Sequence, residues 1–237
     1  MSTRTSDSEI SYIAHIPVDL GRLEGELIVP EQAAGIVIFA HGSGSSRHST
    51  RNQFVARKVR ESGTGTLLMD LLTEDEEQVD IVTRHLRFDI GLLAQRLIDA
   101  ARFVSHGNET RSLRIGFFGA STGAAAALVA AAKLGDEVGA VVSRGGRPDL
   151  ANGSLARVTS PTLLIVGGRD ELVIELNRQA YDHLNCKKEL RIVSGATHLF
   201  EEPGALEEVA SLAACWFKQH LRVRHASGNA SAEKGGM

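Results

Sequence analysis

The sequence has 237 residues, of which 43% are hydrophobic and 23% charged, and its formal net charge is −3. These proportions are typical of a globular protein, and the small net charge argues against strong attraction to nucleic acid or to an anionic membrane. The length suits one α/β domain, which can bury a core without disulfides or metals. We therefore expect neither a nucleic-acid partner nor a membrane partner.

The N-terminal segment and the cysteines bear on location and redox chemistry. The segment MSTRTSDSEI lacks the apolar core of a signal peptide, and no run approaches the roughly 18 apolar residues that span a bilayer. The two cysteines, Cys186 and Cys215, form no Cys-x-x-Cys pair, so a redox motif or zinc ribbon is not expected. We expect a cytoplasmic protein without a metal site.

Short apolar runs alternate with longer helical patterns along the chain. This alternation predicts βαβ units and an α/β fold with a mostly parallel sheet flanked by helices. Eight strands are predicted, at residues 10–16, 23–29, 36–40, 66–69, 115–118, 140–142, 162–166 and 190–193.

Helical periodicity and tail composition define the rest of the chain. Helices are predicted at residues 84–106, 122–134, 173–184 and 205–221. The acidic segment 73–80 is interpreted as a solvated loop or a first helical turn. We expect one domain over residues 1–221, followed by a small, polar and flexible tail at 222–237.

A Gly-x-Ser-x-Gly pattern occupies residues 119–123, between an apolar strand and an alanine-rich helix. A serine hydroxyl is a poor nucleophile unless it is exposed beside a base, and a sharp strand-to-helix turn would place Ser121 in this way. The backbone N–H of Thr122, at the helix start, has no intrahelical partner and is a candidate oxyanion donor. Taken alone, the segment also fits a plain Gly/Ser turn.

Two polar residues follow later predicted strands, Asp170 after 162–166 and His198 after 190–193. The carboxyl ends of parallel strands meet at the edge where open α/β sheets place their sites, and Ser, Asp, His is the order used by α/β-hydrolases. We predict a triad with Ser121 as nucleophile, His198 as general base and Asp170 as the acid that orients the histidine. The alternatives are a helix N-cap for Asp170 and a surface loop for His198.

The segment His-Gly-Ser-Gly-Ser-Ser at residues 41–46 follows the strand 36–40. In hydrolases with a Ser-Asp-His triad, the loop after this strand supplies the second oxyanion donor, and the backbone N–H of Ser43 is the best candidate. A nucleotide phosphate loop is the competing interpretation. The segment lacks Gly-Lys-Ser/Thr, and Arg47 stands where a dinucleotide fingerprint needs its third glycine.

Arg144 and Arg147 follow the strand 140–142 at the same edge of the sheet. A guanidinium grips a carboxylate with two hydrogen bonds, so either arginine is a candidate for binding a substrate carboxylate. Solvated arginines or structural ion pairs are the alternative. The acidic residues 74–77 are candidates for the opposite rim of the site or for a charged surface.

Together, the four motifs at residues 41–44, 119–123, 168–170 and 195–198 resemble those of α/β-hydrolases of the dienelactone-hydrolase-like group, over roughly residues 10–221. The resemblance implies a single-domain α/β-hydrolase fold with about eight strands, the second antiparallel. It also implies hydrolysis of an ester, thioester or lactone without a cofactor. Typical dienelactone hydrolases have cysteine where this chain has Ser121. The segment 143–160 is too short for a cap domain.

The sequence therefore predicts a serine hydrolase that cleaves a carboxylic ester, thioester or lactone of a small substrate through an acyl-enzyme. An acyltransferase or thioesterase with the same triad is one alternative. A non-catalytic small-molecule sensor with a hydrolase fold is another. Both a monomer and a homodimer are compatible with the sequence.

Overall fold

The computed structural model describes residues 9–222. Eight strands were predicted, and eight are present, with longer bounds at most ends. They are β1 (Ile10–Val18), β2 (Gly21–Val29), β3 (Gly35–Ala40), β4 (Gly65–Met69), β5 (Arg114–Ala120), β6 (Val138–Arg144), β7 (Thr162–Gly167) and β8 (Lys188–Val193). Of the predicted flexible tail, residues 223–237 lie outside the described residues.

The strands form one sheet in the order β1-β2-β4-β3-β5-β6-β7-β8. β2 runs antiparallel to both of its neighbours, β1 and β4, and the remaining neighbours pair in parallel. The predicted mostly parallel sheet with an antiparallel second strand is confirmed. Its parallel strands bring their carboxyl ends, and the loops that follow them, to a single edge.

Six α-helices connect and cover the strands within the described residues. They are α1 (Thr50–Glu61), α2 (Glu74–Thr83), α3 (Ile90–His106), α4 (Thr122–Leu134), α5 (Glu171–His183) and α6 (Ala205–His220). One buried cluster joins α3 and α4 to one face of the sheet, and a second joins α1 and α6 to the other. Burial on both faces explains why β3 is apolar throughout.

The helices of the structure differ from the expected ones at three places. α1 was missed because it is strongly polar and buries only a short stripe toward the sheet. Of the two interpretations of the acidic segment, the solvated loop is wrong and the helical turn is confirmed, since a capping box at Thr73 and Glu76 starts α2, which runs to Thr83. The predicted helix 84–106 is broken: Arg84 takes a left-handed conformation and ends α2, and α3 starts only at Ile90.

The residues between β6 and β7 form a 3₁₀ helix, Pro148–Arg157, which packs against α4 and α5. The predicted single α/β domain without a cap domain agrees with this short connection. Within residues 9–222, none of the helices combines the length and the apolar character needed to cross a bilayer.

Candidate active site

Ser121 lies in the turn between the end of β5 and the first residue of α4. Its backbone has φ +51° and ψ −120°, a conformation that residues other than glycine seldom adopt. Such a conformation persists where the surrounding structure enforces it. The backbone N–H of Ser121 donates to the carbonyl oxygen of Arg144 at 3.2 Å, which ties the turn to the end of β6.

The two glycines that flank the serine allow this turn to pack tightly. A Cβ atom on Gly123 would lie 2.4 Å from the carbonyl oxygen of Ala40 and 2.5 Å from that of His41. A Cβ atom on Gly119 would lie 2.4 Å from the Cα atom of Ala124. Real side chains do not tolerate such distances, so both positions of the pattern require glycine.

Asp170 and His198 are in direct contact although they follow different strands. The Nδ1 atom of His198 donates to Oδ2 of Asp170 at 2.6 Å. Asp170 does occupy the N-cap position of α5, but its side chain makes no capping hydrogen bond. Its carboxylate therefore accepts a hydrogen bond from His198 and none from the backbone at the start of α5.

The backbone at the end of β6 lies against His198 as well as against Ser121. A Cβ atom on Gly145 would lie 3.5 Å from Nδ1 and from Cε1 of the imidazole ring. The residue before it, Arg144, accepts the hydrogen bond from Ser121. This stretch of backbone thus places the predicted nucleophile and the predicted base at the same edge of the sheet.

The backbone N–H of Ser43, a predicted oxyanion donor, donates to the side-chain Oγ1 of Thr122 at 3.0 Å. The same loop is held close to the turn, because a Cβ atom on Gly42 would lie 3.2 Å from the Cβ atom of Ser121. The structure thus brings both predicted donor residues together beside Ser121. The hydrogen bond from Ser43 to the Thr122 hydroxyl was not anticipated.

His41 fixes the loop that carries Ser43. Its Nδ1 donates to the carbonyl oxygen of Gly42 at 2.9 Å, and its Nε2 accepts from the backbone N–H of Leu71 at 3.2 Å. Burial lowers the pKa of His41, so the ring is neutral with its proton on Nδ1. Sequence reasoning treated this histidine only as part of the loop, although its position directly after β3 was the available signal.

A cavity of about 400 Å³ borders the loop at Ser43 and the start of α4 at Thr122. Its lining also includes Glu77 and Asp80 of α2 and Arg87. Asp80 is almost fully buried and pairs with Arg87. The segment between β4 and α3 therefore contributes charged side chains to this cavity.

The predicted acidic rim divides in the structure. Glu77 lines this cavity, whereas Glu76 pairs with Arg96 of α3 and completes the capping box of α2. Glu74 and Asp75 are exposed at the start of the same helix. Glu77 therefore fits the interpretation as a rim of the site, whereas Glu74 and Asp75 fit the interpretation as charged surface.

The two candidate arginines differ in their partners. Arg147 donates to both carboxylate oxygens of Asp149, at 2.9 and 2.8 Å, so it forms a local ion pair. Arg144 is buried, and its Nε and Nη1 atoms have no hydrogen-bond partner among residues 9–222. Burial, with a smaller effect of the charge on Arg51, lowers the pKa of Arg144 to about 10.

Comparison with known proteins agrees with this architecture. The model of the dienelactone hydrolase family matches residues 23–222. The chain belongs to the dienelactone hydrolase family. A solved structure of dienelactone hydrolase from Anabaena variabilis is 55% identical with a TM-score of 0.89, and the match covers 90% of this chain and 99% of that one.

More distant structures share the fold of the family. Est1E from Butyrivibrio proteoclasticus is 16% identical with a TM-score of 0.73, and the match covers 88% of this chain and 98% of that one. At this identity the likeness concerns the fold alone. Within residues 9–222, no group of three or more His, Cys, Asp or Glu side chains is arranged to hold a metal ion.

Two curated relatives come from strains of Mycobacterium tuberculosis, and each carries the name "Putative phosphoribosyl transferase". Each is 56% identical over 215 residues, which are 91% of this chain and 47% of the relative. The chain thus spans about half the length of these curated relatives.

Proposed function

We propose that this member of the dienelactone hydrolase family is a serine hydrolase that cleaves a carboxylic ester, thioester or lactone of a small substrate. Ser121 is the nucleophile, His198 the general base and Asp170 the orienting acid. The observation that carries the proposal is the 2.6 Å hydrogen bond between His198 and Asp170, at the edge where Ser121 occupies a strained strand-to-helix turn.

The chemistry follows from the tautomer that this hydrogen bond selects. With the proton of His198 held on Nδ1 by Asp170, Nε2 is left as the basic atom. It removes the proton of the Ser121 hydroxyl as the oxygen attacks the substrate carbonyl, and it then protonates the leaving group. Water, activated by the same nitrogen, releases the acyl group from Ser121.

The negative charge on the carbonyl oxygen is stabilised by the backbone N–H groups of Ser43 and Thr122. The N–H of Thr122 lies at the positive end of α4. The N–H of Ser43 donates to the Thr122 hydroxyl. We propose that this hydroxyl keeps the donor in position until the oxyanion replaces it as the acceptor.

Exposure of the base favours hydrolysis over acyl transfer. The His198 side chain is 39% exposed, so water can reach the acyl-enzyme. The transferase name belongs to relatives that are about twice as long as the matched region. In this chain, the matched region carries the hydrolase motifs. We therefore propose ester hydrolysis for this chain and no phosphoribosyl transfer.

A panel of p-nitrophenyl esters and thioesters tests this proposal, using the wild type, Ser121→Ala, and Ser211→Ala as a matched control. Ser211 lies exposed on α6, where its hydroxyl donates to the carbonyl oxygen of Glu207. We expect turnover in the wild type and in Ser211→Ala, and near-complete loss in folded Ser121→Ala. Full turnover in Ser121→Ala contradicts the assignment of the nucleophile.

Product analysis separates the alternatives that share the triad. With added alcohol or thiol acceptors, we expect the free acid to remain the main product. A dominant transfer product would instead identify an acyltransferase, and ligand binding without any turnover would identify a sensor. We also propose that the chain acts in the cytoplasm on small molecules, as a monomer or homodimer, which light scattering and fractionation can test.

A further inference from the structure

The last residue of β6 and the three residues after it, 144–147, are here called the β6 loop, and they hold the backbone of Ser121 from two sides. The carbonyl oxygen of Arg144 accepts from the backbone N–H of Ser121 at 3.2 Å. The backbone N–H of Arg147 donates to the carbonyl oxygen of Ser121 at 3.1 Å. The conformation of the β6 loop therefore determines where the strained turn at Ser121 lies.

The same loop lies against the predicted base and against α4. Gly145 has φ +50°, and a Cβ atom on it would lie 3.2 Å from the carbonyl oxygen of His198 and 3.5 Å from Nδ1 of the ring. A Cβ atom on Gly146 would lie 2.7 Å from the Cβ atom of Ala124, in α4. A shift of the β6 loop would therefore change the contacts of the nucleophile and of the base together.

The side chain of Asn177 joins the β6 loop to α5, the helix that begins directly after Asp170. Asn177 is fully buried, and its Nδ2 atom donates to the carbonyl oxygen of Gly146 at 3.0 Å and to that of Val173 at 2.8 Å. The orientation of the amide is determined, because an oxygen in place of the nitrogen would face two acceptors. This amide thus connects the helix that starts at the acid with the loop that holds the nucleophile.

The hydrogen bonding of Asn177 is incomplete on its other side. Its Oδ1 atom is buried and has no hydrogen-bond partner within residues 9–222. A buried polar atom without a partner is unfavourable, so an apolar side chain would fill this space at a lower cost. The carbonyl oxygen of Val173 has a backbone N–H in α5 as its usual partner. The bond that depends on the amide of Asn177 is therefore the one to Gly146.

We infer that Asn177 is a positioning residue, which holds the β6 loop through Gly146 and so sets Ser121 relative to His198. This inference rests on the proposed function, because it concerns the geometry between the nucleophile and the base. Asn177 does not line the cavity beside the predicted oxyanion donors. Its loss should therefore slow the chemical step and leave substrate binding nearly unchanged, since a misplacement of about 1 Å in reacting groups costs about 10²-fold in rate.

Ester kinetics with p-nitrophenyl butyrate test the inference through the separate effects on kcat and KM. Asn177→Leu removes the amide and keeps a side chain of similar size. Asn185→Leu is the matched control, because the Nδ2 atom of Asn185 also donates to a backbone carbonyl, that of Ala156 at 3.2 Å, outside the β6 loop. In folded Asn177→Leu, kcat should fall about 10- to 100-fold with KM within twofold. Both constants should stay within twofold in Asn185→Leu.

A second variant, Asn177→Ser, separates the two hydrogen bonds of the amide and also serves if Asn177→Leu does not fold. A serine hydroxyl in a helix can donate to the carbonyl oxygen four residues earlier, which here belongs to Val173. The shorter side chain does not reach the carbonyl oxygen of Gly146. We therefore expect kcat of Asn177→Ser to fall in the same range as that of Asn177→Leu. Circular dichroism and thermal unfolding verify that each variant is folded at the assay temperature.

Proton NMR tests the same inference without any turnover. The Nδ1 proton of His198, held by Asp170, should give a downfield resonance that is lost in Asp170→Asn. In both Asn177 variants this resonance should shift or broaden, because the β6 loop lies against the ring, and in Asn185→Leu it should match the wild type. If the wild type cleaves no ester, the proposed function fails, but the resonance still decides whether Asn177 positions the base.

Three results would overturn the inference. Wild-type kcat in folded Asn177→Leu would mean that the β6 loop keeps its place without the amide. Wild-type kcat in Asn177→Ser alone would assign the effect to the bond with Val173, within α5. An imidazole resonance that is unchanged in both folded variants would show that Asn177 has no influence on His198.

Discussion

The turn that carries Ser121 and the helix α2 both border the predicted reaction site, but different forces hold them in place. The turn joins β5 to α4, whose side chains are almost entirely buried, and glycines bring its backbone into direct contact with the end of β3. α2 buries only Asp80 and leaves apolar side chains such as Val82 exposed. Its attachments are polar: a capping box and two ion pairs.

This difference in packing indicates which region determines the chemistry and which determines substrate affinity. Close packing admits few arrangements, so the turn fixes Ser121 relative to its partners. A helix with few buried contacts opens at a low free-energy cost. Changes at the triad and in the turn should therefore act on kcat and on folding. Changes in α2 should act on substrate affinity.

The largest expected effect concerns the acid of the triad. In Asp170→Asn the side-chain amide no longer favours the Nδ1–H tautomer, so kcat should fall about 10⁴-fold, as in other serine hydrolases of this type. Asp149→Asn, in the first turn of the 3₁₀ helix that follows β6, is the control and should keep most of the activity. Steady-state kinetics measure both variants, and a loss of less than about tenfold in Asp170→Asn would contradict the assigned role.

Packing of the turn can be tested at its second glycine. Gly123→Ala places a methyl group against the carbonyl oxygens of Ala40 and His41, so the free energy of unfolding should fall by about 1–3 kcal/mol. Gly153→Ala is the control, because nothing lies within 4 Å of its added Cβ atom. Urea denaturation compares the two variants. Equal stabilities would show that the turn can relax more than the structure indicates.

The hydroxyl of Thr122 should matter for turnover although it does not react. Thr122→Val keeps the shape of the side chain but removes the acceptor for the Ser43 N–H. We expect kcat to fall about tenfold with little change in KM, because one oxyanion donor is no longer held in position. Thr122→Ser should recover most of the loss. An unchanged kcat in the valine variant would show that the loop needs no such support.

The attachment of α2 should affect affinity more than rate. Thr73→Ala removes the capping box and should destabilise the helix by about 1 kcal/mol. Because Glu77 and Asp80 line the cavity, KM should rise a few-fold while kcat stays nearly constant. Substrate titrations give both constants. A fall in kcat without a change in KM would remove the distinction drawn between the two regions.

The smallest effect is the pH dependence contributed by His41, which links the two regions through Leu71. Burial lowers the pKa of His41 in the folded chain. As the pH falls below the usual histidine pKa of about 6.5, His41 is therefore protonated in the unfolded chain at a higher pH than in the folded chain. This part of the stability is therefore present above that pH and is lost as the pH falls. Denaturation midpoints from pH 8 to pH 5 should decline less in His41→Gln than in the wild type, and identical slopes would contradict this.

The sequence predicted the nucleophile side of the site better than the α2 side, for a physical reason. Each residue of the predicted triad directly follows a strand: Ser121 within Gly-x-Ser-x-Gly, and Asp170 and His198 after later strands. Because parallel strands end at one edge of the sheet, these local patterns predict where the three side chains lie. α2 has little apolar periodicity, and only its Thr73 and Glu76 capping pair marked it as a helix. Within the described part of the chain, Nε and Nη1 of Arg144 lack hydrogen-bond partners whereas Arg147 is paired with Asp149. This difference depends on tertiary neighbours, so no local sequence pattern reveals it.

Labelling of the folded protein with a fluorophosphonate, followed by mass spectrometry, identifies which serine is activated. We expect a single adduct on Ser121 in the wild type, no adduct in folded Ser121→Ala, and much slower labelling in Asp170→Asn. An adduct on a different serine, or a folded wild type that does not react, would contradict the claim that Ser121 is the activated nucleophile.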